Sequence, residues 1–341
     1  MKKILVWLSG GVDSAVSAYL LKEQGYEVVC GYMINYLDEE NESCPTRIDL
    51  EEARRVAVYL ELPFYTFDYR EEYEKRIVDY IYREYEVWHT PNPDVFCNNL
   101  IKFDLFLEEA LSLGYDGIAT GHYARISDWH LLKGIDLLKD QSYFLSRLSV
   151  FQLEHAIFPI GDMLKSEVRE IAKKVGIPNA ERKDSQWLCF IGKVSMKEFL
   201  ERRFPKKPGN ILNTEWKVIG THEGAFSYTI GQRRGIAVGW WPALVVIYKD
   251  TVANTITVGT EEELALFESE CTISNWIWEE IEYGKKYNAK IRYRQDDQIC
   301  IIWKWDTFLK ISFEKVQRAI ASGQICVIYD GDRVVGSGVI Q

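Results

Sequence analysis

The sequence predicts an α/β protein in which an N-terminal doubly wound parallel sheet is followed by a helical middle segment, a β-rich central segment and a small C-terminal β-barrel. Three observations carry this reading. Strand-like and helix-like segments alternate over the first 125 residues, the pattern turns helical from about 140 to 204, and after Pro205-Lys206-Lys207-Pro208-Gly209 it is β to the end. Domains of 1–204, 205–260 and 261–341 are expected, the first carrying a basic helical segment at about 140–204.

Ile4-Leu5-Val6-Trp7-Leu8 is an apolar run that reads as a buried strand. Ser14 to Gln24 reads as a helix, with Val16, Tyr19, Leu20 and Glu23 at three- and four-residue steps. Gly25 stands where a helix end takes a left-handed residue. Glu27 to Met33 is the next strand. Asp49 and Glu52 have capping-box spacing ahead of Ala53-Arg54-Arg55-Val56-Ala57, so a helix is expected to start there. Phe64 to Asp68 is a third strand, Glu71 to Trp88 a long helix and Asn98 to Leu113 another, closed by Gly114. Gly117 to Gly121 is a short strand ending in Gly-His. Ligands of such sheets sit at the carboxyl ends of the strands, so the loops after Leu8, Met33 and Thr120 should converge. Ser166 to Val175 reads as a helix ending at Gly176, and Met196 to Phe204 as a second, Arg-rich one. In the tail, Ile299–Trp305 and Phe308–Phe313 read as paired strands. Cys326–Tyr329 and Arg333–Ile340 flank the hairpin turn Asp330-Gly331.

The 341 residues are 47% hydrophobic and 27% charged, the balance of a soluble globular protein. No run approaches a membrane span and the chain opens directly into a strand, so a cytoplasmic location is expected, without a membrane or DNA partner. A net charge of −10 argues against nucleic acid in general. Its distribution is uneven: residues 38–86 hold fifteen acidic against seven basic side chains, and residues 163–207 hold twelve basic against six acidic. A basic segment can dock a phosphate backbone, although charge alone fits solvated helix faces better. The seven cysteines form no CxxC pair, which removes zinc-ribbon spacing, and most read as core thiols. Cys44 is among these.

Leu8-Ser9-Gly10-Gly11-Val12-Asp13-Ser14 lies between a strand and a helix. Backbone N–H groups at a helix start favour an anion, glycines allow close approach, and hydroxyls add donors. Asp13 suits this setting as a possible Mg2+ ligand beside polyphosphate. No Lys follows as in the Gly-Lys-Ser/Thr nucleotide loop, and the string is not GxGxxG. The full string SGGVDS looks like the pyrophosphate loop of the N-type ATP pyrophosphatases, whose members split ATP between the α and β phosphates and adenylate an oxygen.

Two further strings each pair a cysteine with a carboxylate in polar surroundings: TPNPDVFCNNLIKF (90–103), with Asp94 and Cys97, and KDSQWLCFIG (183–192), with Asp184 and Cys189. Pro91 and Pro93 place Asp94 in a loop or at a helix start, and Cys97 close to that start, where a thiolate is favoured. With the loop, and with ATGHYAR (119–125), KDQSYFL (139–145), FPIG, HEGAFSYTIGQRRG (222–235) and RYRQ (292–295), these strings resemble the bacterial tRNA-specific 2-thiouridylase family nearly end to end.

The resemblance implies an adenine nucleotide alpha hydrolase-like fold for the first domain. It also implies ATP-dependent 2-thiolation of the wobble uridine, expected on Lys, Glu and Gln tRNAs. ATP, with Mg2+, would adenylate the position-2 carbonyl. Cys189 would carry a persulfide, Cys97 would be its partner thiol, and Asp94 would be the general acid/base. Cys97 would either release sulfide from the persulfide or close a disulfide with Cys189. ATP would be held by Trp7, Leu8, Ser9, Gly10, Gly11, Val12, Asp13, Ser14, Met33 and Gly121. Asn92, Pro93 and Asp94 would surround the target base, with His122 near it. Lys139, Asp140, Gln141, Arg292, Tyr293 and Gln324 would contact tRNA. The base must leave its stack to react, so base flipping is implied. The sulfur would come from a persulfide-donating carrier or cysteine desulfurase. His222, within a family string, reads as structural or RNA-proximal.

The chain departs from the family pattern at Gln186-Trp187-Leu188 before Cys189, at Trp88-His89, at Asn99 where the family has Lys, and at Ser322 where it has Pro. Such changes leave the reaction type in place and leave tRNA choice and sulfur donor open. Two other readings stand beside the first. One is a divergent tRNA-binding paralogue with altered or lost activity. The other is an adenylating enzyme that needs neither thiol nor RNA.

Overall fold

Five parallel strands make the first sheet of the computed structural model. They are β1 (Lys3–Trp7), β2 (Glu27–Ile34), β3 (Phe64–Asp68), β4 (Gly117–Ala119) and, after a hairpin of β5 (Ala124–Ser127) and β6 (His130–Lys133), β7 (Ala156–Ile157), in the order β3-β2-β1-β4-β7. The structure describes residues 1–37, 44–183, 196–236, 238–239, 243–250, 252–263, 266–278 and 281–341. These fall into two compact units, one within 1–78, 93–193 and 332–334, the other within 79–92, 194–331 and 335–341.

In the first unit β1 is central, with Leu5 opposite Val29 on one side and Ile118 on the other. Ile4, Leu5 and Val6 are buried, as a strand covered on both faces requires. The chain order reverses between β1 and β4, and ligands of open α/β sheets bind at the carboxyl ends beside such a reversal. Helix α1 (Val12–Glu23) buries Ser14, Ala15, Ser17 and Ala18, small side chains that let it lie close to the sheet. Gly25 follows it at φ +83°, as the sequence predicted.

Several expectations are corrected. Helix α2 (Pro45–Tyr59) starts four residues before Asp49, because Pro45 takes a first-turn position where its missing N–H costs nothing. Asp49 pairs with Arg182 instead. The 71–88 helix is not uniform: Arg70–Tyr73 passes into a π-helical stretch, Glu74–Val78, before Asp79–Glu86. The 98–113 helix is also split, π-helical over Asn98–Leu105 and α-helical over Phe106–Ser112. Helical structure begins earlier, at Pro93, so Cys97 lies a turn inside and Asp94 occupies the first turn. The segment 140–204 is not wholly helical, since β7 fills the edge beside β4. The β5–β6 hairpin turns on Asp128 and Trp129, both at positive φ, a turn without the usual Gly signal.

In the second unit β8 (Gly209–Leu212), β9 (Val218–His222), β10 (Val245–Asp250) and β11 (Thr255–Gly259) form a sheet in the order β10-β11-β8-β9. The tail strands are β12 (Phe267–Trp278), β13 (Lys286–Lys290), β14 (Gln298–Trp305), β15 (Phe308–Arg318), β16 (Ile325–Asp330) and β17 (Arg333–Ile340). They run β12-β15-β14-β13-β16-β17, and β12 pairs with β17 to close a six-stranded barrel. Its interior is Ile273, Ala289, Ile302, Ile311, Cys326 and Ile328, alternate residues of successive strands. Among the described residues no helix is long and apolar enough to cross a membrane.

Candidate active site at the carboxyl edge of the sheet

The loop after β1 is held open by its surroundings. Gly10 has φ +79°, and a Cβ there would stand 2.6 Å from the Asp49 carbonyl oxygen, so both conformation and space demand glycine. The Gly10 carbonyl accepts from Asn179 Nδ2 at 2.9 Å and Arg182 Nη1 at 2.8 Å. Helix α1 has no side-chain cap, so the first N–H groups of Val12, Asp13 and Ser14 stay available to an anion. The Ser9 and Ser14 hydroxyls lie 3.2 Å apart, and Ser14 Oγ donates to the Gly11 carbonyl at 3.0 Å. Gly121, after β4, packs against this helix start: a Cβ on it would come within 2.6 Å of Ser14 N. The two loops therefore meet, as predicted. Met33 is buried near the end of β2.

Asp13 faces a cation. Lys165 Nζ lies 2.7 and 2.8 Å from its two carboxylate oxygens, and the Tyr123 hydroxyl donates to one of them at 2.8 Å. Both partners were missed in the sequence, lying 152 and 110 positions away. Gln141 supports Tyr123, exchanging two hydrogen bonds with its backbone at 2.9 Å. Asp140 is buried, accepting from the Gly134 and Ser142 N–H groups and the Ser142 hydroxyl, each at 3.0 Å. These two side chains brace the loop's neighbour, while Lys139 is half-buried beside them.

Asp94, Cys97 and Lys102 follow one another along the helix that begins at Pro93. Cys97 is buried. Burial pushes the Asp94 carboxyl up, and the Lys102 charge partly opposes this. Lys102 is 7% exposed, its ammonium 4.3 Å from the Trp7 ring centroid. His122 is buried among Trp7, Phe103 and Phe158 and bonds Thr120 Oγ1 through Nδ1 at 2.7 Å. Burial, then Lys102, hold its pKa well below 6.5, so the imidazole is neutral at physiological pH. The structure thus brings Trp7, the Asp94 helix and His122 around Lys102. No sequence reasoning singled out that lysine, although it lies inside the Ile-Lys-Phe string.

Cys189, with Asp184 and Trp187, lies outside the described residues. In the second unit, Gln324 Nε2 donates to the Thr90 carbonyl at 2.7 Å, and its Oε1 accepts from Asn92 at 3.4 Å, which joins two predicted RNA-contacting residues. Arg292 donates to the Arg318 carbonyl, and Tyr293 is half-buried. His222 Nδ1 accepts from Gly224 N–H at 3.0 Å, within a tight turn. Cys44 is a buried thiol at the start of α2, in keeping with a structural role.

The residues do not fit a protein-held magnesium ion. Three donor contacts from Lys165 and Tyr123 already occupy the Asp13 carboxylate, and no group of three or more His, Cys, Asp or Glu able to hold a metal occurs among the described residues.

A parallel sheet whose central strand opens into an uncapped helix start, with an acid and a thiol on a further helix, defines an α/β domain with an anion-binding loop at its carboxyl edge. Comparison with known proteins agrees. Residues 2–193 match the family model described as tRNA methyl transferase HUP domain, 197–260 the PRC-barrel domain of that set, and 269–340 the aminomethyltransferase beta-barrel domain. The curated relatives carry a more specific name, tRNA-specific 2-thiouridylase MnmA. The protein from Christiangramia forsetii is 40% identical, covering 100% of this chain and 100% of its own. That from Cupriavidus metallidurans is 43% identical, covering 100% and 99%, and that from Akkermansia muciniphila 42%, covering 100% and 99%. The chain belongs to the tRNA-specific 2-thiouridylase family.

Proposed function

We propose that this chain is a tRNA sulfurtransferase that spends ATP to place sulfur at position 2 of the wobble uridine in Lys, Glu and Gln tRNAs. The observation that carries the reading is the meeting of phosphate loop, Asp94 helix and His122 around Lys102 in the first unit. The loop, from Trp7 to Ser14, takes the pyrophosphate, and Met33 and Gly121 flank the adenosine. Asp13 holds Lys165 rather than a metal in this reading, and any magnesium would belong to the ATP substrate. The activity resides in the 1–204 domain, in the cytoplasm.

The uridine carbonyl oxygen attacks the α-phosphorus, the new O–P bond forms, and the bridging bond breaks with its electrons leaving on pyrophosphate. Asp94 accepts the N3 proton as the base is adenylated. The terminal sulfur of a Cys189 persulfide, loaded by a carrier or cysteine desulfurase, then attacks C2, and AMP departs with the former carbonyl oxygen. Cys97 thiolate attacks Cys189 Sγ, closing a disulfide and leaving sulfur on the base. Alternatively Cys97 attacks first and releases sulfide as the nucleophile. Asn92, Pro93 and His122 surround the flipped base. Lys139, Asp140, Gln141, Arg292, Tyr293 and Gln324 are proposed as the RNA-side residues.

The test is nucleoside mass spectrometry after incubation with ATP, a persulfide donor and bulk tRNA. 2-Thiouridine confined to wobble positions is expected. Tight tRNA binding with no ATP turnover would instead favour a non-catalytic paralogue.

A further inference from the structure

Lys102 is a buried cation with unsatisfied bonding capacity. It is 7% exposed, and among the described residues no hydrogen-bond acceptor is set against its ammonium, which lies over the Trp7 ring at 4.3 Å. The Trp7 indole Nε1 is a second buried donor without a partner. Taking an ammonium out of water is costly, and a cation–π contact returns only part of that cost. Packing alone would be served better by Met or Leu. The Lys102 charge acts on both Asp94 and His122, and Asp94 forms no ion pair with it. Two unspent donors beside a phosphate loop are the arrangement of a site for developing negative charge.

We infer that Lys102, together with the Trp7 indole N–H, is a catalytic donor pair that binds a non-bridging oxygen of the α-phosphate as it passes from pyrophosphate to the base carbonyl. This rests on the function proposed above. Position argues for the α-phosphate over the others. Trp7 immediately precedes the loop assigned to pyrophosphate, His122 immediately follows Gly121, which packs against the same helix start, and the Lys102 charge acts on Asp94, the proposed base. The transferring phosphoryl group crosses the interval that Lys102 occupies. The donors take no proton and form no bond; they stabilise charge while the O–P bonds exchange.

The experiment compares Lys102→Met, Lys102→Arg and Trp7→Phe in tRNA-dependent pyrophosphate release, with ATP and tRNA binding measured separately. Lys102→Met should slow release about 100- to 1,000-fold, the usual loss for one such donor, with both binding constants within about threefold of wild type. Lys102→Arg should recover at least about tenfold of that loss and Trp7→Phe should cost about tenfold. Losing the lysine also removes the charge that opposes the rise of Asp94, so the acid limb of the pH–rate profile should move to higher pH. Wild-type release by Lys102→Met, or parallel loss of ATP binding and rate, overturns the inference. Wild-type protein that releases pyrophosphate on another acceptor but makes no 2-thiouridine overturns the proposed function, and the same variants still judge Lys102. Wild-type protein that releases none overturns both.

Discussion

In the C-terminal barrel Cys271, Cys300 and Cys326 face the interior of one apolar core. Burial, then Cys271, push the Cys300 thiol up to about 12, and a hydrogen bond to Cys271, then burial, push Cys326 well above its ordinary value. The Cys300 and Cys326 thiols therefore stay protonated and inert. No buried side-chain nitrogen or oxygen among the barrel's described residues lacks a hydrogen bond. In the first unit the pattern is the opposite. Trp7 Nε1, Asn35 Oδ1, Asn98 Oδ1 and Asn179 Oδ1 are all buried without partners. The buried polar atoms of the first unit thus keep bonding capacity for water or a ligand, and those of the barrel do not.

The strongest way to break that contrast is to exchange single sulfur atoms. Cys97→Ser and Cys189→Ser should each abolish 2-thiouridine, a loss beyond about a thousandfold, whereas Cys300→Ser should keep activity and lose about 1–3 kcal/mol of stability from its buried hydroxyl. Thiolation by mass spectrometry and urea denaturation read the two effects. Asp13→Asn should weaken the hold on Lys165 and lower pyrophosphate release about 100-fold. A rate within threefold of wild type would mean that the ion pair is only structural. Gly10→Ala, strained by φ and by the Asp49 carbonyl, should weaken ATP binding about tenfold in equilibrium titration, for about 1–3 kcal/mol of strain. Ile302→Ala in the barrel should cost about 2–5 kcal/mol of stability while the folded fraction thiolates at the wild-type rate.

The smallest effect concerns pH. His122 keeps a pKa well below 6.5 when folded, and the unfolded imidazole takes its proton near 6.5. The two states bind protons alike above that value. As pH falls below it the unfolded state alone binds a proton, so stability declines, by up to about 1.4 kcal/mol per pH unit. His122→Gln should flatten that decline between pH 6.5 and 5.5 in urea titrations, and an unchanged slope would show another group responsible.

The legible parts of the molecule were those whose cause is local. The β3 boundaries, the strand-loop-helix around Ser9 to Ser14, the Gly25 and Gly176 helix ends and the Asp330-Gly331 hairpin each rest on a few adjacent residues. The start of α2 was misjudged because a proline at the first turn outweighed a capping pattern four residues later. β7 was hidden because its pairing with β4 is a long-range bond invisible in local composition. In the site, Gly10 and Asp13 were legible by motif. Lys165, Tyr123, Asn179 and Arg182, which complete the loop, were not, since nothing short of the fold brings them there.

The π-helical stretch Asn98–Leu105 amounts to one extra residue absorbed in a helix, and such stretches gather at functional sites. Its widened turns leave carbonyls for other side chains: Asn99 O accepts from Gln152 at 3.1 Å and Leu100 O from Arg76 at 3.2 Å. Removing one residue between Cys97 and Lys102 would let the stretch wind as an ordinary α-helix while the segments on either side keep their facing, so the loss would fall on the widened turn itself. The extra residue is therefore a tie-bar: helix geometry is given up locally so that Gln152 and Arg76 can fasten their own elements to the stretch that carries Lys102.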